Sequence, residues 1–135
     1  MNVNDTTLKA LATSLNFRTM RQEILSSNIV NADTPGYKAK ELDYEAALSR
    51  AIDVDNQMNM VTADERHMNV GNGGFENLEP SIHEQANGVV SEDGNTVDRD
   101  AELAKMAENK ILYDATVQLI NKKLALMKYA VSAEK

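Results

Sequence analysis

The chain has 135 residues, 14 basic against 21 acidic side chains, a formal net charge of −7, and no cysteine or tryptophan. That balance excludes a nucleic-acid backbone as the main partner, because such binding needs clustered positive charge, and the lack of cysteine excludes a disulfide framework and a thiolate metal site. No run of about 18 apolar residues exists, so no direct membrane insertion is expected, and no apolar core follows the first nine residues, so no secretory signal peptide is expected there.

Leu, Ile, Val and Phe supply only 30 residues, close to the composition at which chains stay unfolded. A core this thin is remedied by helical assembly with copies or partners. Charge divides the chain in three. Residues 1–40 and 101–135 each carry net +2, while 41–100 carry −11 and hold all the prolines and glycines but for Pro35 and Gly36. The ends read as structured and the middle as acidic and loop-rich.

A first helix is expected over 6–31, with Asp5 able to cap the free amides of its first turn. Leu8, Leu11, Leu15, Leu25, Ile29 and Ala32 follow a three-four spacing, with Arg18 and Gln22 where two more apolar residues are due. Ala10, Phe17, Met20 and Ile24 run beside them, which makes a face wider than a two-helix seam needs. The helix gives way to Asn31-Ala32-Asp33-Thr34-Pro35-Gly36-Tyr37. Pro35 forces Thr34 out of the helical region, and Pro-Gly at the two central positions favours a type II turn with Gly36 at positive φ.

The middle offers one short helix, over 44–52 and capped by Asp43. Turn chemistry stands at Asn87-Gly88 and Asp93-Gly94-Asn95. A small hairpin pairing 89–90 with 68–70 or with Ile82 is the best strand reading. The last helix, over 97–132, is the strongest signal. Leu103, Met106, Lys110, Tyr113, Val117, Ile120, Leu124, Met127 and Val131 alternate spacings of three and four, with Lys110 the one polar member. Leu112, Ala115, Leu119, Leu126 and Ala130 form a neighbouring stripe. Acidic residues near its start and Lys122, Lys123 and Lys128 near its end complement the helix dipole. A periodic run this long suits a coiled coil or bundle.

Nothing here points to catalysis. Gly71-Asn72-Gly73-Gly74 lacks the Lys and Ser/Thr of a phosphate loop. His67 and His83 have no ligand spacing, and the nearby Asp64, Glu65 and Glu84 are better read as chance neighbours than as a metal site. Asp53/Asp55 and Glu92/Asp93 are solvated charges with no apolar pocket to separate their pKa values. The expectation is no catalytic residue, no metal and no cofactor.

Asn28, Asn31, Asp33, Thr34, Gly36 and Tyr37 together are more than a helix end and a turn require. This segment resembles the N-terminal signature of the flagellar basal-body rod and hook protein family, with Val30 where a smaller residue is usual. Arg21-Gln22-Glu23-Ile24-Leu25 is similar to the family's proximal-rod members. So are Gly94-Asn95-Thr96-Val97-Asp98, followed by Glu102, Met106 and Tyr113, and the ending Met127-Lys128-Tyr129-Ala130-Val131. The resemblance covers 5–53 and 92–131 and lacks the long central domain of hook and distal-rod members.

The resemblance implies an all-α, rod-type domain: an N-terminal helix and signature turn (1–40), a loop-rich middle (41–96) and a C-terminal helix (97–135). The terminal helices would pack as a coiled coil. It implies a structural subunit of the periplasmic rod of the flagellar basal body, exported by the flagellar type III apparatus and transmitting torque. The implied partners are other rod subunits, copies of itself, and basal-body adaptor, membrane-ring or export-gate proteins. Assembly would fall on Asn28, Asn31, Asp33, Thr34, Pro35, Gly36 and Tyr37, and on Leu103, Met106, Tyr113, Val117, Ile120, Leu124 and Met127. A small helical adaptor or chaperone binding partner helices is the competing reading.

Overall fold

A computed structural model of the chain describes residues 6–57, 75, 78–86 and 89–133. Five elements follow in order: α1 (Thr6–Val30), β1 (Lys40–Asp43), α2 (Glu45–Gln57), β2 (Ser81–Glu84) and α3 (Arg99–Ala133). Both long helices fall within two residues of their expected bounds. The cap expected from Asp5 and the Gly71–Gly74 loop lie outside the described residues, as do His67, the pairing of 68–70 and the Asn87-Gly88 turn. The start of α3 is set by Asp98, whose carboxylate accepts from the amides of Asp100 (3.1 Å) and Ala101 (3.2 Å). It acts as an N-cap for the otherwise unsatisfied first turn.

α1 and α3 run antiparallel side by side. Asn28 meets Glu102, and six to ten residues back along α1, Gln22 and Arg18 meet Asn109 further along α3. The second apolar stripe of α1 has its own cover. Phe17, Leu42 and Tyr44 form a buried cluster, with Met20, Ile24 and Leu78 packed against it, and the rings of Phe17 and Tyr44 lie 5.2 Å apart. Each such side chain contributes about 1.5–3 kcal/mol on leaving water. The wide face of α1 is thus divided between α3 on one side and the chain's own middle on the other.

Two expectations about the middle are corrected. The fold is mostly helical with a small hairpin in the middle, but the strands are others than expected: β1 and β2 form a two-stranded antiparallel sheet, with Leu42 opposite Ile82 and Glu41 opposite His83. The partner of Ile82 is therefore not Val89-Val90 but a segment forty residues upstream. A wide separation in sequence adds little to the cost of pairing, since closure entropy grows only logarithmically. Asp43 is a strand residue rather than a helix cap. The helix after it begins at Glu45 and runs to Gln57, with Ala51 buried.

Candidate functional site

The segment after α1 folds around two asparagines. Asn28, fully buried, uses its whole hydrogen-bonding capacity. Its amide nitrogen donates to the Lys40 carbonyl (2.8 Å) and the Glu102 carboxylate (2.8 Å). Its oxygen accepts from the Tyr37 hydroxyl (3.2 Å) and the Lys40 amide (3.0 Å). An amide side chain offers two donors and one oxygen with two lone pairs, so no other residue type of this size fits all four partners. Glu102, also buried, is completed by Lys105 at 3.0 Å.

Asn95 plays the matching part from the other end of the chain. Its amide nitrogen faces the carbonyls of Asn31 (2.9 Å), Ala32 (3.0 Å) and Thr34 (2.8 Å). Those groups lie where α1 runs out of intrahelical partners. Its oxygen accepts from the Val97 amide at 2.7 Å. Thr96 accepts the Ala39 amide on its hydroxyl (2.8 Å) and donates its own amide to the Tyr37 carbonyl (3.1 Å).

Between them lies the expected turn. The Tyr37 amide donates to the Thr34 carbonyl (3.3 Å), and Gly36 has φ of 73°, the type II pattern. The Gly36 amide donates to the Asp93 carbonyl (2.9 Å). Gly94, at φ 81°, stands so close that a Cβ on it would lie 3.6 Å from Gly36 Cα. The other signature residues surround this crossing. Asn31 donates to the Ser27 carbonyl and accepts from the Thr34 hydroxyl, Asp33 pairs with Arg99 at 2.6 Å on the exposed rim, and Pro35 is exposed.

The two blocks of sequence that carry the resemblance are thus in contact with each other. A family model described as flagella basal body rod protein matches residues 1–38. The flagellar basal body rod protein FlgB of Proteus mirabilis (strain HI4320) is 36% identical over 118 residues, 84% of this chain and 85% of the relative. That of Escherichia coli (strain K12) is 30% identical over 124 residues, 87% and 86%. That of Bacillus subtilis (strain 168) is 28% identical over the full length of both. The chain belongs to the FlgB family of flagellar basal body rod proteins. FlgB proteins are structural components and not enzymes. Among the described residues no helix is long and apolar enough to cross a membrane, and no three potential metal ligands come together.

On α3 the FlgB-like stripe sits otherwise than its apolarity suggests. The fully buried residues of the helix are Glu102, Asn109 and Thr116, seven apart, a polar column one position away from the apolar one. Met106, Tyr113, Ile120 and Met127 are half-buried and belong to both columns. Val117 is half-buried too, while Leu103 and Leu124 are about half exposed. Two of the three meet polar groups of α1, Glu102 at Asn28 and Asn109 at the Arg18 carbonyl and Gln22, while the Thr116 hydroxyl donates back to the Leu112 carbonyl of its own helix. The residues that interrupt the apolar series on both helices, Arg18, Gln22 and Lys110, line one cavity of about 280 Å³ with Asn109 and Tyr113.

Asn95, Thr96 and Asn109 are thus central residues that a reading of the sequence for an interface passes over. The signal for Asn109 was present, as a seven-residue polar spacing beside the apolar one. For Asn95 and Thr96 only the family-like run Gly94–Asp98 marked the place.

Proposed function

We propose that this protein is a subunit of the proximal rod of the bacterial flagellum, built in through the exposed faces of its terminal helices and the turn that joins them to the middle. One observation carries the reading. α3 leaves Leu103, Ile111, Leu112, Leu119, Leu124, Leu126, Tyr129 and Val131 about 40% exposed or more, while its first turns are fixed to α1 by buried hydrogen bonds. Apolar side chains in such number along one helix mark an interaction surface. A helix held firmly at one end and apolar along its length is suited to pack in a coiled-coil layer with neighbouring subunits and to pass torque along the rod.

In this reading the protein acts in the periplasm after export by the flagellar type III apparatus. Its neighbours are copies of itself, other rod subunits, and adaptor, membrane-ring or export-gate proteins at the base. The test is complementation of a strain lacking the gene. Ile120→Asp should abolish rod assembly and swimming, and Gln118→Asp, on the polar side of α3, should leave both nearly intact. Purified basal bodies that keep their rods in the deletion strain would overturn the reading. A discrete soluble complex with one partner helix would favour an adaptor instead.

A further inference from the structure

The two ends of the helix pair differ in charge as well as in burial. α3 has 35 residues and α1 has 25. With Asn28 abreast of Glu102, Thr6 falls abreast of residue 124 or so. The stretch to Ala133 extends beyond Thr6 by about 13 Å at 1.5 Å per residue. From Ala115 to Ala133 there are three lysines, Lys122, Lys123 and Lys128, and no acidic residue. Lys122 and Lys128 are exposed, beside Leu126 at 67% and Tyr129 at 73% exposure.

Toward the other end, the hairpin side of the molecule is acidic. A cleft of about 440 Å³ is lined by Glu41, His83, Val89, Asp98, Glu102 and Lys105, among others. A second, of about 300 Å³, is lined by Arg21, Glu41, Asp43, Tyr44, Glu45 and His83. Both share Glu41 and His83, so they form one continuous surface along the hairpin. Lys105 is already paired with Glu102, and the Arg21 guanidinium lies over the Tyr44 ring at 5.8 Å. The ring contact does not neutralise Arg21, so Glu41, Asp43, Glu45 and Asp98 outnumber that cation four to one. Exposed Ile82 (53%) and Val89 (81%) supply apolar area beside them.

We propose that the basic, apolar end of α3 in one copy docks on the acidic hairpin surface of a second copy. This deepens the rod reading, on which it rests, by naming which surface meets which. The two patches are different and lie at different ends, so the contact is head-to-tail. Such a contact propagates from copy to copy, into a ring or a helical array according to the rotation at each step. Opposite charges set its orientation and speed its formation, and salt weakens it.

Charge reversal on the full-length protein tests it, with association followed by sedimentation velocity and folding checked by circular dichroism. Lys122→Glu with Lys128→Glu gives a copy acidic at both surfaces. Glu41→Lys with Asp43→Lys gives a copy basic at both. Each variant alone should associate at least about tenfold more weakly than the parent, and an equimolar mixture should recover association, because every tail then meets an opposite hairpin. Leu126→Asp with Tyr129→Asp, at exposed positions where folding is not at stake, should weaken association as well. Parent-like association of either charge variant, or a mixture that stays dissociated, overturns the proposal. So does a parent that remains monomeric at low salt. If the charge variants also swim normally while the deletion strain builds no rod, the docking contact fails and the rod reading stands.

Discussion

At the turn end of the helix pair, Asn28, Asn95 and Glu102 are buried polar groups with every partner supplied by the chain itself. About 39 Å further along α3, at 1.5 Å per residue from Glu102 to Lys128, Leu126, Tyr129 and Val131 stand in solvent. One region spends its polarity inward and is complete. The other keeps its apolar surface outward and is incomplete as a single copy. Hydrogen bonds fix geometry because a buried donor or acceptor tolerates no displacement. Apolar surface is non-directional and accepts whichever partner covers it. The division suits a subunit that must hold its own shape at one end and adapt to neighbours at the other.

The sharpest way to break this comparison is at Asn28. Asn28→Leu strands the Lys40 amide and carbonyl and takes one of two donors from the buried Glu102 carboxylate, which keeps Lys105, at a cost of about 3 kcal/mol. Urea unfolding of the purified protein should show it. A loss below about 1 kcal/mol would mean that water reaches these groups and that the turn end is not the closed region described. Asn95→Ala should follow, at about 2 kcal/mol, since the Ala32 carbonyl loses its Asn95 donor while those of Asn31 and Thr34 keep the Thr34 and Tyr37 amides. The same melts decide it, and a null effect would assign capping to solvent.

Gly36→Val should cost about 1–2 kcal/mol through backbone strain. No atom lies within 4 Å of the added Cβ, so strain is the whole effect. Gly36→Asn should be milder, because Asn tolerates this region. Equal melting of the two variants would remove the turn's conformational demand. At the open end, Leu126→Asp should change chain stability by no more than about 0.5 kcal/mol while impairing assembly, which co-sedimentation of basal-body fractions would report. A large loss of monomer stability would show that this face is covered within the chain. Smallest of all is Arg99→Ala. Its pair with Asp33 is exposed on both sides, so melts should shift by less than about 0.5 kcal/mol.

The long helices were legible because their periodicity is local and sustained, and the Thr34–Tyr37 turn because proline and glycine act on their own backbone. The β1–β2 pairing was not, since neither Lys40–Asp43 nor Ser81–Glu84 alternates clearly and each finds its partner far away in sequence. The seam of α3 was legible only in part. Met106, Tyr113 and Ile120 belong equally to a column through Leu103, Lys110 and Val117 and to one through Glu102, Asn109 and Thr116. Apolarity alone favours the first. What meets Glu102 and Asn109 in the second is the polar content of α1 at Arg18, Gln22 and Asn28, visible only once the antiparallel alignment of the two helices is known.

The sheet that joins Lys40–Asp43 to Ser81–Glu84 has a topological consequence. Asp43 is paired with Ser81, so the excursion between them departs and returns at adjacent points on the same scaffold. Within it α2 packs on α1, and Tyr44 and Leu78, next to the strands, join the Phe17 cluster. Lengthening that excursion adds little closure entropy, with each doubling costing about 0.6 kcal/mol. An inserted module whose termini lie close together could therefore be spliced in between residues 57 and 75 without moving the Gly36–Gly94 crossing, and an engineered reporter placed there should leave the two asparagine-centred networks undisturbed.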